Sequence, residues 1–172
     1  MKPVETEPID EELASTLRRA REKRQQTNQY LARLKKKKPK LLDQTIAEIH
    51  DEVFEEIDCL KCANCCKTTS PVFTDRDIDR IAKHLRMRPA EFVEQYLYMD
   101  DENDYVLKEA PCPFLLPDNY CMIYDVRPKA CREYPHTNRK RFHQVIGLTK
   151  KNAEICPATF EIVKRLMVEI PV

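Results

Sequence analysis

Four cysteines lie within eight residues of this 172-residue chain, and this cluster constrains the fold more than any other feature. Residues 59–66 read CLKCANCC, which contains two overlapping CxxC units and ends in a vicinal pair. A CxxC spacing lets two thiolates of one tight turn reach a common ion, at about 2.3 Å for zinc. A redox-active CxxC of the thioredoxin type would need a βαβ context, which the sequence lacks. The cluster therefore predicts metal ligands.

The vicinal pair, Cys65 and Cys66, limits how these ligands can be shared. Adjacent side chains point in different directions in most backbone conformations, so the two thiols are poorly placed to bind one mononuclear ion. Two interpretations remain open. The pair serves two neighbouring sites, or one cysteine is a ligand and the other packs as a small buried hydrophobe.

Four further cysteines follow downstream, and three of them lie beside or near prolines. Proline stiffens the backbone and lowers the entropic cost of holding a ligand in place. Taken singly, each is equally well explained as a buried free cysteine, but the upstream cluster makes metal ligation the better interpretation. We expect all eight cysteines to be ligands, enough for two four-thiolate sites: Cys59, Cys62, Cys65, Cys66, Cys112, Cys121, Cys131 and Cys156.

The N-terminal sequence bears on whether these cysteines stay reduced. The segment MKPVETEPIDEEL lacks the basic start and apolar stretch of a secretory signal. No segment approaches the roughly 18 apolar residues that a membrane span requires. We therefore expect a cytoplasmic protein with no membrane partner, in which thiols remain reduced. A disulfide framework is the less favoured alternative.

The spacing continues beyond the cluster. CLKCANCC is followed by CPFL at 112–115, by CMIYDVRPKACREYP at 121–135, and by CP at 156–157 before a terminal helix. In this pattern, over about 59–165, the chain resembles the YkgJ-type cysteine cluster proteins. The resemblance implies a zinc- or iron-chelating domain, in some relatives described as an iron–sulfur oxidoreductase, and all eight cysteines fall on the family's pattern. Ala63 stands where many relatives have glycine, and we expect Asn64 to supply any left-handed turn instead.

All-thiolate coordination suits zinc or an iron–sulfur cluster, and leaves a net negative charge on the site. Arg127 and Arg132 flank the cysteines and are candidates to offset that charge, Arg132 more so because it directly follows Cys131. The alternative is that both arginines only cap and solvate a short helix. His136, five residues after Cys131, is the one candidate for an additional mixed ligand, although a structural role is preferred.

Hydrophobic periodicity predicts a mainly α fold with a small β-hairpin. A charged helix over 10–38 and a better amphipathic helix over 41–57 are expected to form an antiparallel hairpin packed on the cysteine-rich part. Further helices are expected over 74–85, from Pro89, and over 157–168, with β-prone runs at 105–108 and 112–124. The predicted domains are a charged helical N-terminal extension, 1–58, and a cysteine-cluster metal-binding domain, 59–172.

The sequence has one strongly basic run, KKKKPK at 35–40, although the whole chain carries a formal net charge of only +1. We interpret the run as a helix C-terminus whose cations complement the helix dipole and face water. The next helix carries several acidic residues that would repel phosphate, so no nucleic-acid partner is expected. The N-terminal helices are instead candidates to bind a protein partner.

Three classes of function follow from the cysteines. The first is a metal-binding module, the second an iron–sulfur oxidoreductase or protein-modifying enzyme, and the third a metal chelator or transfer protein. Relatives of this domain occur in an enzyme that methylates flagellin lysines, which keeps catalysis open by analogy only. With Gly147 as the single glycine, a glycine-rich nucleotide-binding loop is excluded. No catalytic residue is predicted.

Overall fold

The computed structural model describes residues 6–172. The first five residues of the predicted N-terminal extension lie outside the described residues. The described chain divides into two compact units. The first unit comprises residues 6–8 and 63–134, and the second comprises Ile9–Cys62 and Pro135–Val172. The predicted division into an N-terminal extension, 1–58, and a metal-binding domain, 59–172, stays a prediction.

Helices dominate the described residues. The α-helices within 6–172 are α1 Glu11–Glu22, α2 Arg24–Lys37, α3 Leu42–Glu56, α4 Asn64–Thr68, α5 Asp75–His84, α6 Pro89–Tyr96, α7 Lys129–Glu133, α8 Ile146–Asn152 and α9 Pro157–Glu169. Strands β1 Leu97–Met99 and β2 Tyr105–Leu107 pair antiparallel, with Leu97 opposite Leu107. The predicted mainly α class with a small β-hairpin is confirmed. No helix within residues 6–172 is long and apolar enough to cross a bilayer.

The second unit is built around α9, against which α1, α2, α3 and α8 all pack. Helix α3 buries a stripe of aliphatic residues at spacings of three and four, as predicted for an amphipathic helix: Leu42, Ile46, Ile49 and Val53. The Tyr30 hydroxyl of α2 is 2.9 Å from the carbonyl oxygens of both Leu166 and Ile170, so it caps the C-terminal end of α9. Burial raises the pKa of Tyr30 to about 12.

The predicted helix over 10–38 is two helices in the structure, α1 and α2, which meet at Lys23 with φ −90° and ψ 6°. Six polar residues separate the buried Ala20 from the buried Thr27, so no core contact holds the backbone helical across the junction. Helix α1 packs on α9 and α2, whereas α2 also packs on α8. The main packing partner of α3 is α9 rather than the preceding helix.

The first unit has shorter elements around an aromatic core. The helices predicted over 74–85 and from Pro89 are present as α5 and α6, and α5 begins with a capping box, in which Thr74 and Asp77 exchange hydrogen bonds. The core contains Phe73, Ile78, Ile81, Ala82, Phe92, Leu97, Leu107, Phe114 and Ile123. The β-prone run at 121–124 forms only one bridge, Leu115 with Cys121, followed by the 3-10 turn Tyr124–Val126.

Candidate metal centre

Cys59 and Cys62 lie in the second unit, on a 3-10 turn spanning Cys59–Lys61. The Cys62 backbone N–H donates to the Cys59 carbonyl at 3.1 Å, which closes the turn. The Asp58 carboxylate accepts from the Leu60 N–H at 2.9 Å and fixes the entry to the turn. Cys59 is exposed, whereas Cys62 is buried. The local backbone therefore has the tight CxxC turn that the sequence predicted.

Cys65 and Cys66 lie in the first unit, on the short helix α4. The residue before this helix, Ala63, has φ 47° and ψ 17°, which is the left-handed region. The expectation that Asn64 would supply the left-handed turn is wrong, because Asn64 already begins the helix. Glycine in relatives at position 63 has a simple explanation, since a residue without a Cβ adopts this conformation without strain.

Hydrogen bonds of the backbone bring three cysteines of the first unit into one region, and a fourth lies within Coulombic range of them. The Cys112 N–H donates to the Cys66 carbonyl at 2.8 Å. The Leu115 N–H donates to the Cys112 carbonyl at 3.0 Å, and Leu115 also bridges to Cys121. Cys131 lies on α7. We call Cys66, Cys112, Cys121 and Cys131 the four-thiol set.

The start of α7, which carries Cys131, is fixed by a residue that the sequence analysis did not single out as functional. The buried Asp77 carboxylate of α5 accepts from the Lys129 N–H at 3.1 Å and from the Arg80 guanidinium at 2.5 Å. Arg80 in turn donates to the Arg127 carbonyl at 2.9 Å. The capping box joins Thr74 and Asp77, which are three residues apart, whereas the contact of Asp77 with Lys129 joins residues 52 positions apart, so no local pattern in the sequence indicates it.

The thiols of this set influence one another's ionisation. The pKa of Cys131 is raised to about 12, chiefly by burial and also by the negative charges of Cys66, Cys112 and Cys121. Burial also raises the pKa of Cys112 to about 12, with added repulsion from Cys66 and Cys121. The pKa of Cys121 is raised by burial first and by Cys66 as well. The four thiols thus lie within Coulombic range of each other, so ionisation of one disfavours ionisation of the others, and a shared cation would favour all four thiolate forms.

Backbone N–H groups and one arginine oppose that repulsion. The N–H groups of Phe114 and Leu115 lower the pKa of Cys112 by hydrogen bonding, and that of Ile123 does so for Cys121. The Arg127 charge lowers the pKa of both Cys121 and Cys131, although burial outweighs it. Stabilisation of the thiolate form by N–H groups and cations is what an all-thiolate metal site needs.

Arg127 is held in place by Tyr124. Its guanidinium carbon lies 3.8 Å from the centre of the Tyr124 ring, and its Nη1 donates to the Tyr124 carbonyl at 2.6 Å. Arg132, which the sequence favoured over Arg127, is exposed on α7. Its charge-compensating role stays a prediction, while the Coulombic contribution to the thiols comes from Arg127.

Cys66 differs from the other members of the four-thiol set. Its pKa is lowered to about 7, chiefly because the Cys65 thiol hydrogen-bonds to it, and the Lys67 charge acts in the same direction against the effect of burial. At neutral pH roughly half of a thiol with this pKa is ionised. The hydrogen bond keeps the Cys65 and Cys66 thiols close together. Cys66 is the member of the four-thiol set that ionises to a thiolate most readily.

The remaining predicted residues lie in the second unit. The Cys156 sulfur caps α9 and accepts from the Thr159 N–H at 3.4 Å. His136 is half-buried with a left-handed φ of 68°. The roles of both as ligands stay predictions. Within residues 6–172, no three histidine, cysteine or acidic side chains are spaced as the ligands of one ion. The sulfur atoms of the four-thiol set are therefore near enough to affect one another's pKa but farther apart than the ligands of one metal ion.

A set of partly buried thiols with hydrogen-bonding N–H groups and a flanking cation is characteristic of a cysteine-rich metal-binding domain. The model of the CxxCxxCC family, described as "Putative zinc- or iron-chelating domain", matches residues 58–157. The chain belongs to this family, which confirms the resemblance seen in the sequence. No curated protein and no solved structure is significantly similar to the chain.

Proposed function

We propose that this protein is a metal-binding module in which Cys66, Cys112, Cys121 and Cys131 hold one zinc or iron centre. Such a centre supplies positive charge and metal–sulfur bonds that join four separate segments of the first unit. The observation that carries the proposal is that the Cys112 N–H donates to the Cys66 carbonyl at 2.8 Å and that Leu115 bridges to Cys121, with Cys131 within Coulombic range of all three thiols. Chance burial of unrelated cysteines would not place each within Coulombic range of the others.

The four thiols differ in their protonation state before a metal ion binds. Cys66, with a pKa of about 7, offers a thiolate at neutral pH. Cys112 and Cys131, with pKa values of about 12, keep their protons until a cation is near. Binding therefore releases protons, and the side chains have to draw inward from their present spacing. The N–H groups around Cys112 and Cys121 are already oriented to stabilise the thiolates.

A structural role fits these thiols better than a transfer role. Cys112 and Cys121 pack against the aromatic core of the first unit, where they touch a cluster that includes Phe114 and Ile123. A transfer site needs thiols that a second protein can reach, whereas these are largely withdrawn from solvent. Metal held at the edge of a core contributes its binding free energy directly to folding.

The experiment is purification without oxygen, followed by the visible spectrum and the zinc, iron and acid-labile sulfide content. Colourless protein with tightly held zinc supports the structural module. Brown protein with sulfide assigns an iron–sulfur centre and favours the oxidoreductase class. One metal per chain corresponds to the four-thiol set, and two equivalents indicate that predicted ligands outside this set also bind metal.

A pair of variants tests the ligand assignment. Cys112→Ala removes a member of the four-thiol set, and we expect the loss of one full equivalent of metal. Ile123→Val is the matched control, because it removes one methylene from the same core and leaves every thiol in place. Metal-free wild-type protein that stays folded, or equal metal content in both variants, would contradict the proposal.

A further inference from the structure

The basic run KKKKPK at 35–40 is joined in the second unit by a second basic segment, which the sequence did not connect with it. The Asp43 carboxylate, at the start of α3, accepts from the backbone N–H of Arg141 at 2.6 Å and of Phe142 at 3.0 Å. Asp43 follows the basic run by three residues, so these bonds bring the segment RKR at 139–141 beside it. Phe142 is fully buried and anchors the segment. We call the two segments together the basic patch.

The basic patch contains eight cations, all of them exposed. Within residues 6–172, none of the eight has an ion-pair partner. The carboxylate of Asp43, three residues after the basic run, is engaged by two backbone N–H groups. A net charge of +1 for the whole chain therefore conceals one strongly positive surface.

The acidic residues of α3 do not neutralise this surface. A helix rises about 1.5 Å per residue, so Glu48 lies about 9 Å along the axis from Leu42, and Asp51 and the acids beyond it lie about 14 Å or more from Leu42. These distances exceed the Debye length of about 8 Å at physiological salt, so the repulsion of an anion at the basic patch is screened. The screening is weakest for Glu48, whose carboxylate also accepts from Gln44 at 2.9 Å. Glu52 and Glu56 are in addition paired with Arg165, at 3.7 and 2.5 Å. The sequence-based objection to a phosphate partner therefore loses its force.

We propose that the basic patch binds the phosphate backbone of a double-stranded nucleic acid, RNA or DNA. A duplex presents a dense row of phosphates that suits closely spaced exposed cations and requires no base contact. Neither segment carries an exposed aromatic side chain, so the stacking that single strands rely on is missing. Leu41 is the only large apolar side chain exposed in residues 35–43 and 139–142, too little for an inserted membrane-binding face.

This proposal is independent of the metal site, and the test uses the full chain purified with its metal. Binding of labelled 20-base-pair RNA and DNA duplexes is followed by fluorescence anisotropy between 50 and 200 mM salt, with anionic phospholipid vesicles as a separate arm. We expect micromolar affinity for duplexes at low salt, roughly in the range of non-specific binding. The affinity should fall steeply as salt rises.

Two triple variants locate the binding surface: Lys35→Gln with Lys36→Gln and Lys37→Gln, and Arg139→Gln with Lys140→Gln and Arg141→Gln. Each should weaken duplex binding at least about tenfold and reduce the salt slope by about 2 to 3, since each phosphate contact contributes about 0.9. The matched control replaces three exposed cations of the first unit: Arg76→Gln, Lys83→Gln and Arg86→Gln. It should bind like the wild type.

Several results would overturn the proposal. These are no duplex binding by the wild type at 50 mM salt, an equal loss in the control triple variant, or binding to vesicles but not to duplexes. Equal affinity for RNA and DNA supports recognition of the phosphate backbone alone, and a preference for one of them supports the proposal with added recognition of the sugar. Metal content and thermal melting of each variant show whether the fold is intact, which separates failure here from failure of the metal proposal.

Discussion

The two units of the molecule reach a buried core by different means. The second unit packs helices against α9, and α3 alone supplies four aliphatic side chains to the interface. The first unit has helices of at most ten residues, two three-residue strands, and a stretch from 108 to 128 whose only helical turn is Tyr124–Val126. It also carries five of the eight cysteines. Packing between regular helices stabilises the second unit. In the first unit, specific hydrogen bonds and the cysteine thiols take that role.

This contrast has a physical basis. A long helix satisfies its own backbone and needs only an apolar face to be held in place. The irregular stretch of the first unit satisfies its backbone through turn hydrogen bonds such as Met122 N–H to the Phe114 carbonyl, at 2.8 Å. Such turns add little stability by themselves, because ordering each residue costs about 1–2 kcal/mol. We therefore expect the first unit to depend on its bound metal more than the second.

The largest expected effect comes from removing the metal. Chelation under reducing conditions should lower the protection of backbone amides between 112 and 131 by about 3 kcal/mol or more, since metal binding contributes to folding free energy. Helices α3 and α9 should lose much less protection. Hydrogen exchange with mass spectrometry measures both units in one sample. Equal loss of protection in the two units, or no loss in either, would contradict the expectation that the first unit depends on the metal more than the second.

A smaller effect is expected from Asp77→Asn. Asp77 is 1% exposed and ties α5 to the start of α7, which carries Cys131. Replacing the carboxylate weakens its bonds with Arg80 and the Lys129 N–H, at an expected cost of about 3 kcal/mol by urea unfolding. Metal affinity should fall with it, because Cys131 loses its anchor. Asp79→Asn, on the exposed side of the same helix, is the matched control and should leave both unchanged.

Asp77 also gives the first unit a defined dependence on pH. Burial raises the pKa of this carboxyl, but hydrogen bonds from Thr74, Arg80 and Lys129 outweigh burial and leave the pKa below its usual value. The folded state therefore binds this proton less readily than the unfolded state. The stabilisation is complete above the ordinary aspartate pKa of about 3.9 and is lost as pH falls through the lower folded value. Asp77→Asn should remove this component from the acid unfolding curve.

The second unit has a comparable tie that does not involve a charge. The Tyr30 hydroxyl donates to two carbonyls at the end of α9, and Tyr30→Phe leaves them without this donor. We expect a loss of about 1.5 kcal/mol in the free energy of unfolding, with unchanged metal content. Tyr98→Phe, which removes the hydroxyl of a half-exposed tyrosine in the first unit, should cost almost nothing. A loss of metal in Tyr30→Phe would contradict the separation of the two units.

The same contrast decides what the sequence could predict. Helices α3, α5, α6 and α9 follow from local signals, namely apolar periodicity, the Thr74 capping box and proline in the first turn. The candidate metal ligands were predicted from cysteine spacing alone, and their assignment stays a prediction. Strand β1 was missed because its pairing with β2 is formed across a turn, and Leu97 continues the apolar pattern of the preceding helix. The tie from Asp77 to Lys129 and the meeting of Asp43 with Arg141 join distant residues, so no local pattern could show them.

The smallest effect concerns one substitution that should have opposite signs in the two units. At Ala63 the left-handed backbone strains a residue with a Cβ, so Ala63→Gly should stabilise the first unit by about 0.5 kcal/mol after the greater freedom of glycine in the unfolded chain is subtracted. In the middle of α3, Ala47→Gly should destabilise the second unit by about 1 kcal/mol, because the helix interior favours alanine. Urea unfolding of the two variants measures both signs. Destabilisation by Ala63→Gly would mean that the buried methyl group of Ala63 contributes more through packing than the left-handed backbone costs, and glycine in relatives would then need another explanation.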